Sequence, residues 1–398
     1  VVGRFAGSNA LAAVGSCVAL VGIFVNLIVG LAVGPNAALA NLIGQNKREK
    51  ISGMLHTILT FGAVLGIVLM GVGMLTARTV LEASGTPESV MADALLYIRI
   101  YFLGLPFMVI YNFGAAILRS YGDTRRPLYY LIISGTLNVI LNLLLVIEFH
   151  LGVAGVAIAT AASRLIELAA CVIVSFLSKD VKLNLTFMFI RSKVLFGDFI
   201  RLSLPALGND VSWSVAFSMY SVILGHLGTD AVAANSLVTV VRNIGSVFCF
   251  AIASAGTILL GNVMGKGDLE KSKVYASRML KMTVIAGAIG GVIVFAITPL
   301  VMRFASLSDG AMHYLKYMLL INTYYIMGSA VNTALIAGVF RAGGDTKFGL
   351  ICDTIDMWVY AVPLGFFAAF VLKLPVLWVY FLLCTDEFVK WPWVFHHY

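Results

Sequence analysis

A loop that occurs twice is the feature that most constrains this chain. Residues 119–125 read Arg-Ser-Tyr-Gly-Asp-Thr-Arg, and residues 341–347 read Arg-Ala-Gly-Gly-Asp-Thr-Lys, at a spacing of 341 − 119 = 222. Two further pairs keep nearly the same spacing, 221 (265 − 44 and 228 − 7): residues 41–50 with 262–271, and 7–13 with 228–234. Three matches in the same order predict one structural unit that is used twice.

The composition is typical of a protein embedded in a membrane. Of the 398 residues, 60% are hydrophobic and 12% are charged, whereas a soluble domain carries about 25% charged residues. A helix needs about 20 mostly apolar residues to cross the hydrocarbon core. Runs of that kind predict an all-α polytopic protein with eleven spans, at 9–34, 53–77, 94–118, 128–147, 153–177, 199–224, 231–260, 279–303, 314–340, 349–372 and 375–394.

The repeat explains why the predicted number of spans is odd. The second copy opens with the span 199–224, and subtracting 221 places its counterpart before residue 1. We therefore expect twelve spans in two six-helix lobes, with the first helix missing from this chain; a native eleven-span protein is the alternative. The expected division is an N-lobe at 1–178 with spans 2–6, a cytoplasmic linker at 179–198, and a C-lobe at 199–398 with spans 7–12.

The positive charges predict how the spans are oriented. The net charge is +8, but the cations lie in short loops between apolar runs, so we expect no nucleic-acid partner. An excess of Lys and Arg in alternate loops marks the cytoplasmic side. Both termini of the full protein should then be cytoplasmic. The two copies, each with an even number of spans, should be related by a pseudo-twofold axis along the membrane normal.

Several kinds of chemistry leave no pattern in this sequence. It has no G-x-x-x-x-G-K-[ST] phosphate loop and no metal-binding spacing of His or Cys, so we expect no ATP-driven transport, no metal site and no cofactor. The five cysteines lie in apolar runs and are interpreted as small buried hydrophobic residues. An integral-membrane enzyme is a rival hypothesis, but it needs a nucleophile and a base together, and none is visible. We therefore expect that the protein is not an enzyme.

Ionisable side chains inside the spans are functional candidates, because charges are costly in a bilayer. Asp353 and Asp356 lie three residues apart on one span, with Trp358 nearby. If they face a cavity, two acids on one helix face can bind a cation or share a proton. The alternative is a solvated position at the cytoplasmic interface. Arg242 has no partner nearby in sequence and is a candidate for the cavity lining, as Trp358 is for stacking on a substrate.

Other charged residues are interpreted as structural pairs. Arg164 and Glu167 lie three residues apart on one span. Glu387 and Lys390, beside Asp386, lie at the equivalent stretch of the last span (387 − 164 = 223), with the signs exchanged. Each set can pair within its own helix, and such pairing lowers the cost of burial.

The repeated loops are predicted to have a structural role. After Arg119 and Arg341, a glycine fits the end of one helix, and Asp123 and Asp345 stand where a side chain caps the next helix. We expect these loops on the cytoplasmic side, as hinges between spans or as parts of an inner gate.

Taken together, the motifs resemble a known family of transporters. The R-x-x-G-D-T loops, the paired openings at 7–13 and 228–234, and the loops after Gly44 and Gly265 occur in order in both halves. This set resembles the multidrug and toxic compound extrusion (MATE) family over essentially the whole chain. The resemblance implies two six-helix lobes around a central cavity, and export of organic, often cationic, compounds driven by inward flow of Na⁺ or H⁺.

The resemblance also implies a polar cluster in the N-lobe. The family uses an Asn, an acid four residues later and a Thr on the next helix, and Asn138, Asn142 and Thr160 occupy those places. Asn142 departs from the pattern, and the family's other N-lobe acid lies upstream of Val1. Oxygen ligands suit Na⁺, but an amide cannot take up a proton. Hydrogen bonding between helices is the alternative role.

Asp210 is an inexact match to an acidic coupling residue that the family can carry nearer to Trp213. It follows Pro205 by five residues, and proline is expected to kink or break a helix and free backbone carbonyls. A packing kink without a ligand is the alternative.

The sequence leads to one functional hypothesis and one alternative. We expect a monomeric secondary antiporter of a bacterial inner membrane, exchanging organic, cationic compounds for Na⁺ or H⁺ by rocking of the lobes. Its partners would be a small-molecule substrate, the coupling cation and the lipid bilayer. The alternative is a flippase for a lipid-linked precursor, which needs a cationic cavity for pyrophosphate; Arg164 and Arg242 are the candidates for that role.

Overall fold

All regular structure in the described part of the chain is helical. The computed structural model describes residues 8–46, 48–83, 86–177, 193–305 and 307–398. The chain divides into two compact units, a first unit of 1–43 with 47–200 and a second unit of 44–46 with 201–398. The first unit contains α1 Ser8–Gly44 up to its last residue, α2 Arg48–Ala83, α3 Glu88–Leu103, α4 Leu105–Ser120, α5 Arg125–Leu143 with a π-helical end Leu144–Glu148, and α6 Gly152–Leu177.

The second unit contains most of α7 and all later helices. Two of its long helices are interrupted by π-helical segments. The helices are α7 Lys193–Leu227, α8 Thr229–Gly265, α9 Leu269–Phe304, α10 Asp309–Asn332 (continuing as π Thr333–Phe340 and Arg341–Gly343), α11 Thr346–Ile355 (continuing as π Asp356–Ala361, Val362–Phe366 and π Phe367–Val371), α12 Val376–Leu383, α13 Asp386–Val389 and α14 Trp391–His397.

The predicted membrane class is confirmed, but the spans are not all alike. Eight described helices are long and apolar enough to cross a membrane, and α3 with α4, bent by 42° at one break, can be counted as a ninth. Large apolar side chains such as Leu75, Phe295 and Val359 are exposed, as a lipid-facing surface requires. The expected last span 375–394 is three short helices, with Asp386, Glu387 and Lys390 at the breaks and Pro392 in the first turn of α14.

The structure describes only part of the predicted linker, together with the helix that contains Pro205. Residues 178–192 of the linker region lie outside the described residues. α7 begins at Lys193, earlier than the predicted 199, and continues through Pro205 to Leu227 as one helix. Of the kink or break expected at Pro205, the break is therefore absent from α7.

Both repeated loops have the same backbone. Gly122 and Gly344 adopt positive φ angles of 85° and 83°, which glycine reaches without steric cost. The amide N–H of the next residue bonds back to a helix carbonyl, from Asp123 to Leu118 at 3.0 Å and from Asp345 to Phe340 at 2.9 Å. Each aspartate then caps the following helix, through Arg126 N–H at 3.1 Å and Phe348 N–H at 3.2 Å. The predicted helix stop and cap are confirmed in both loops.

The spacing between the copies changes where the second unit is π-helical. Asn46 and Gly267 share a positive φ at a spacing of 267 − 46 = 221, Gly122 and Gly344 at 222, and His150 and Lys373 at 373 − 150 = 223. The segments Thr333–Phe340 and Asp356–Ala361 lie between these points, opposite α-helix in the first unit. Because π-helical hydrogen bonds close one residue later than α-helical ones, each segment accounts for one added residue.

Candidate functional site

A buried cluster of charges surrounds Lys390 in the second unit. Its ammonium nitrogen lies 3.0 Å from Asp353 Oδ1, 3.3 Å from Glu387 Oε2 and 3.6 Å from Asp356 Oδ2. Lys390 is 2% exposed and the three carboxylates are also buried. Asp353 and Asp356 come from α11, and Glu387 comes from α13. We call these four residues the Lys390 cluster.

Neutral side chains hold the carboxylate of Glu387 in place. The Asn332 amide donates to Glu387 Oε2 at 2.6 Å and to the Glu387 backbone carbonyl at 2.6 Å. The Tyr325 hydroxyl donates to Glu387 Oε1 at 3.3 Å. A fourth acid, Asp386, accepts from the Tyr220 hydroxyl at 3.3 Å and from the Glu387 N–H at 2.8 Å. These donors reduce the cost of burying carboxylates.

Local helix geometry brings the cluster together. Asn332 ends the α-helical part of α10 and Asp356 begins a π-helical segment of α11, and π-helical turns often mark functional sites. Lys390 stands between the short helices α13 and α14. The four acids and one lysine together give the region a net formal charge of −3 if all are ionised. A buried excess of this size favours uptake of cations.

A cavity of about 200 Å³ adjoins the cluster within the second unit. Arg242 from α8 lines it, with its guanidinium 4.5 Å from the ring centroid of Phe217 and 5.7 Å from that of Tyr325. Tyr220 and Tyr325 line the same cavity and donate to Asp386 and Glu387 behind it. Two tyrosine hydroxyls therefore separate the cavity from the buried acids.

The predicted N-lobe residues lie together in the first unit. The Asn138 amide donates to Thr160 Oγ1 at 3.4 Å, and the Asn142 amide donates to the Asn138 side-chain oxygen at 3.0 Å and carbonyl at 2.9 Å. Asn138 and Thr160 line a cavity of about 160 Å³ together with Arg164. Arg164 Nη1 is 2.7 Å from the buried carboxylate of Glu167, so the pair expected within that helix is present.

Three other candidate residues make contacts with side chains far away in the sequence: Asp210, Arg341 and Trp358. Arg341 Nη2 is 2.8 Å from Asp210 Oδ1, so the loop arginine pairs with a side chain on α7. The Trp358 indole donates to Ser212 Oγ at 3.0 Å and is not in the described cavity lining. The Lys390 ammonium lies 5.3 Å from the ring centroid of Trp213, where a cation–π contact is favourable.

Sequence reasoning separated residues that belong to one site. The sequence favours Asp353 and Asp356 as coupling candidates and Glu387 with Lys390 as a structural pair, yet all four form the Lys390 cluster. Asn332, Tyr220 and Tyr325 were missed as participants. An asparagine in the apolar run 314–340 was the available signal for Asn332, since a buried amide needs partners.

Comparison with known proteins identifies the family. A family model described as MatE matches residues 1–144 and 205–367, which is more than half of the chain. The chain belongs to the MATE family. Members of this family are transporters and not enzymes, as we expected from the sequence.

Curated relatives and solved structures extend the match along the whole chain. "Probable multidrug resistance protein YoeA" of Bacillus subtilis (strain 168) is 26% identical over 389 residues, covering 95% of this chain and 83% of that protein. "Probable multidrug resistance protein NorM" of Listeria innocua is 25% identical over 359 residues, covering 86% and 76%. A structure described as "Crystal structure of MATE in the bent conformation" matches with a TM-score of 0.90 at 21% identity, covering 100% of this chain and 89% of that one.

Proposed function

We propose that this MATE protein is a secondary antiporter that exports organic compounds across the cell membrane in exchange for protons. The observation that carries the proposal is the Lys390 cluster, in which three buried carboxylates surround one ammonium group. Family membership and the names of relatives such as YoeA support export of organic compounds. Rocking of the two lobes would give alternating access, with the protein acting as a monomer and both termini of the full protein cytoplasmic.

A proton fits the Lys390 cluster better than Na⁺ does. Na⁺ needs several oxygen ligands, and the ammonium of Lys390 already lies within 3.6 Å of all three carboxylates. A sodium ion would have to displace that ammonium and repel it from a buried position. A proton adds to a carboxylate without displacing it, and closely spaced acids share protons as one coupled unit.

The first unit supports the same choice of ion. Its polar cluster is made of Asn138, Asn142 and Thr160, which bond to one another and carry no charge. Its charged pair, Arg164 with Glu167, is balanced. The polar cluster and this pair therefore offer oxygen ligands but no excess carboxylate, and the Lys390 cluster is the stronger candidate for coupling.

The charge of the exported compound is a separate question. The expectation of a cationic substrate rests on the family resemblance alone. No Asp or Glu is among the lining residues of either described cavity. A transport test should therefore include dyes of both signs.

Transport in proteoliposomes tests the proposal directly. We would follow accumulation of ethidium and, in parallel, of carboxyfluorescein under an acid-inside pH gradient, and separately under a sodium gradient. We expect accumulation of at least one dye with the pH gradient and none with sodium alone. Asp353→Asn with Asp356→Asn should abolish it, whereas Glu270→Gln, at an exposed acid of α9, should not. Accumulation driven by sodium alone, or full transport by the double variant, would contradict proton coupling at this cluster.

A second measurement needs no substrate. Because the Lys390 ammonium lies 5.3 Å from the Trp213 ring, a change of charge in the cluster should shift the emission of that tryptophan. We would titrate pH with and without sodium chloride and subtract the signal of Trp213→Phe. The shift should follow pH, be insensitive to sodium and be altered in Asp353→Asn. A shift caused by sodium at constant pH would point to sodium coupling instead.

One observation keeps a lipid flippase as a second candidate function. Arg164 and Arg242, the residues expected to meet a pyrophosphate group, each line a cavity in their own unit. The cavities are about 160 and 200 Å³, below the ~300–1,000 Å³ of a typical drug-sized site. Translocation of a fluorescent polyprenyl pyrophosphate by the same proteoliposomes, without movement of either dye, would favour this function over export of small compounds.

A further inference from the structure

We propose that the Arg242 cavity of the second unit binds the carboxylate or phosphate group of a small, single-ring organic anion. The inference rests on the proposed transport function, because it names the class of compound that this transporter carries. It differs from the cationic substrate that the family resemblance implies. Three observations support it: the unpaired guanidinium of Arg242, the donors beside it, and the size of the cavity.

The guanidinium of Arg242 has no carboxylate partner among the described residues. Arg164 and Arg341, by contrast, each lie 2.7–2.8 Å from a carboxylate oxygen. Arg242 is partly buried, and its guanidinium is held between the rings of Phe217 and Tyr325. Aromatic rings attract a cation but accept no strong hydrogen bonds from it. The planar N–H fork is therefore left free for an oxyanion, which it can bind in bidentate fashion.

One further polar side chain of the cavity can donate to an anion. Asn235 lines the cavity, and its side-chain amide forms no hydrogen bond with the described residues, so both of its N–H donors are available. The hydroxyls of Ser218, Ser221 and Thr239 donate to carbonyls of their own helices, so they contribute no donor to a bound anion. No carboxylate lines the cavity, since Asp386 and Glu387 lie behind the tyrosine hydroxyls. An organic cation would meet Arg242 with no compensating acid at the surface.

Size and lining restrict the rest of the ligand. The cavity holds about 200 Å³, less than the ~300 Å³ at the lower end for drug-sized compounds. Phe217, Tyr325, Tyr380 and Leu383 provide apolar and aromatic walls. A single aromatic ring that carries one carboxylate or phosphate fits this combination. The first-unit cavity does not match it, because Arg164 there is neutralised by Glu167.

The test uses three compounds of nearly the same shape and different charge. Benzoate, benzamide and benzamidine carry charges of −1, 0 and +1, and their binding to the full protein in nanodiscs would be measured with radiolabelled ligand at fixed pH. We expect benzoate to bind more tightly than benzamide, and benzamide more tightly than benzamidine. The reverse order, or equal affinities, would overturn the proposal. This comparison needs no variant, so a folding defect cannot obscure it.

Variants of one residue locate the binding group. Arg242→Gln should weaken benzoate binding by about tenfold or more, the effect of losing a charged hydrogen bond, and leave benzamide unchanged. Arg242→Lys should keep the preference for benzoate over benzamidine. Arg303→Gln, at an exposed arginine of α9, should bind benzoate as the unmodified protein does. Unchanged benzoate affinity in Arg242→Gln would overturn the assignment.

Two further arms separate the sources of the anion and the two proposals. Phenyl phosphate should compete with radiolabelled benzoate for the cavity. If farnesyl pyrophosphate binds but benzoate binds no more tightly than benzamide, the ligand is a lipid and the proposal of a small anion is wrong. All binding is measured at one pH, so that the protonation of the Lys390 cluster is the same for every compound and variant. Selective benzoate binding without proton-driven dye transport would defeat the proposed function only. Proton-driven ethidium transport without selective benzoate binding would defeat this inference only.

Discussion

The two units carry different residues at equivalent positions of the sequence repeat. Subtracting 222 from Asp353 and Asp356, and 223 from the residues of α13 and from Lys390, gives the repeat equivalents in the first unit. At these positions the first unit has three neutral residues and one ion pair, whereas the second unit has four acids and a lysine. The equivalent sets are Leu131, Ser134, Ser163, Arg164 and Glu167, and Asp353, Asp356, Asp386, Glu387 and Lys390.

This difference separates what the fold needs from what the second unit adds. In the first unit, the Ser134 hydroxyl donates to the Ser163 carbonyl at 3.1 Å, and Arg164 balances Glu167. A neutral contact joins α5 to α6 at this position, and the one ion pair lies within α6. The charge excess of the Lys390 cluster is not required for that packing, and replacing a buried ion pair by apolar groups is often neutral or stabilising. A charge excess in the second unit is what the proposed proton coupling requires.

Removing the ammonium should have the largest effect. Lys390→Met leaves three buried carboxylates without their cation, and breaking a buried pair in this way costs about 3–5 kcal/mol. We expect a large fall in the thermal unfolding temperature in detergent. Adding Asp353→Asn should restore part of the loss, because it removes the acid nearest to Lys390, at 3.0 Å. If Lys390→Met is as stable as the unmodified protein, the ion pairs of the cluster do not hold it together.

The ion pair of the first unit should matter less. Glu167→Gln removes the partner of Arg164, but the Arg164 side chain is 33% exposed and can turn into its cavity. We expect a loss of about 1–2 kcal/mol, the cost of one partly compensated polar group, and an unchanged pH dependence of transport. A loss of pH dependence in this variant would move coupling into the first unit.

The two loop aspartates should have equal and modest effects. Asp123→Ala and Asp345→Ala each remove a helix cap, which typically costs about 1 kcal/mol. The two variants should lower the unfolding temperature to a similar extent, since both carboxylates accept a backbone N–H at 3.1–3.2 Å. Asp345 also lies 2.8 Å from His397 Nε2, so a clearly larger loss there would show that this contact contributes to stability.

The smallest effect is expected at the neutral cluster of the first unit. Asn138→Ala removes one hydrogen bond to Thr160 and the side-chain acceptor of Asn142. Hydrogen bonds between membrane helices contribute about 0.6 kcal/mol on average, so stability should change little. Proton-driven dye transport should persist at a similar rate. Loss of transport with retained stability would show that this cluster binds an ion or the substrate.

The sequence predicted local features better than contacts between helices. The glycine stops and aspartate caps follow from residues within one loop, and both loops confirm them. The Lys390–Asp353 contact joins residues 37 positions apart on different helices, and Arg341–Asp210 joins residues 131 apart. No periodicity specifies such a pair. The apolar pattern also could not show that the last span is broken, because Trp and Val continue it past Lys390.

The π-helical segments bear on how the two copies have diverged. Each added residue is absorbed within one or two turns of a helix, so the loops and helix ends that follow stay in register with their counterparts. A duplicated gene can in this way lengthen one half without shifting its architecture. Segments exchanged between the halves, by recombination or by design, would keep the correct side-chain facing only if each was transferred together with its own π-helical turn.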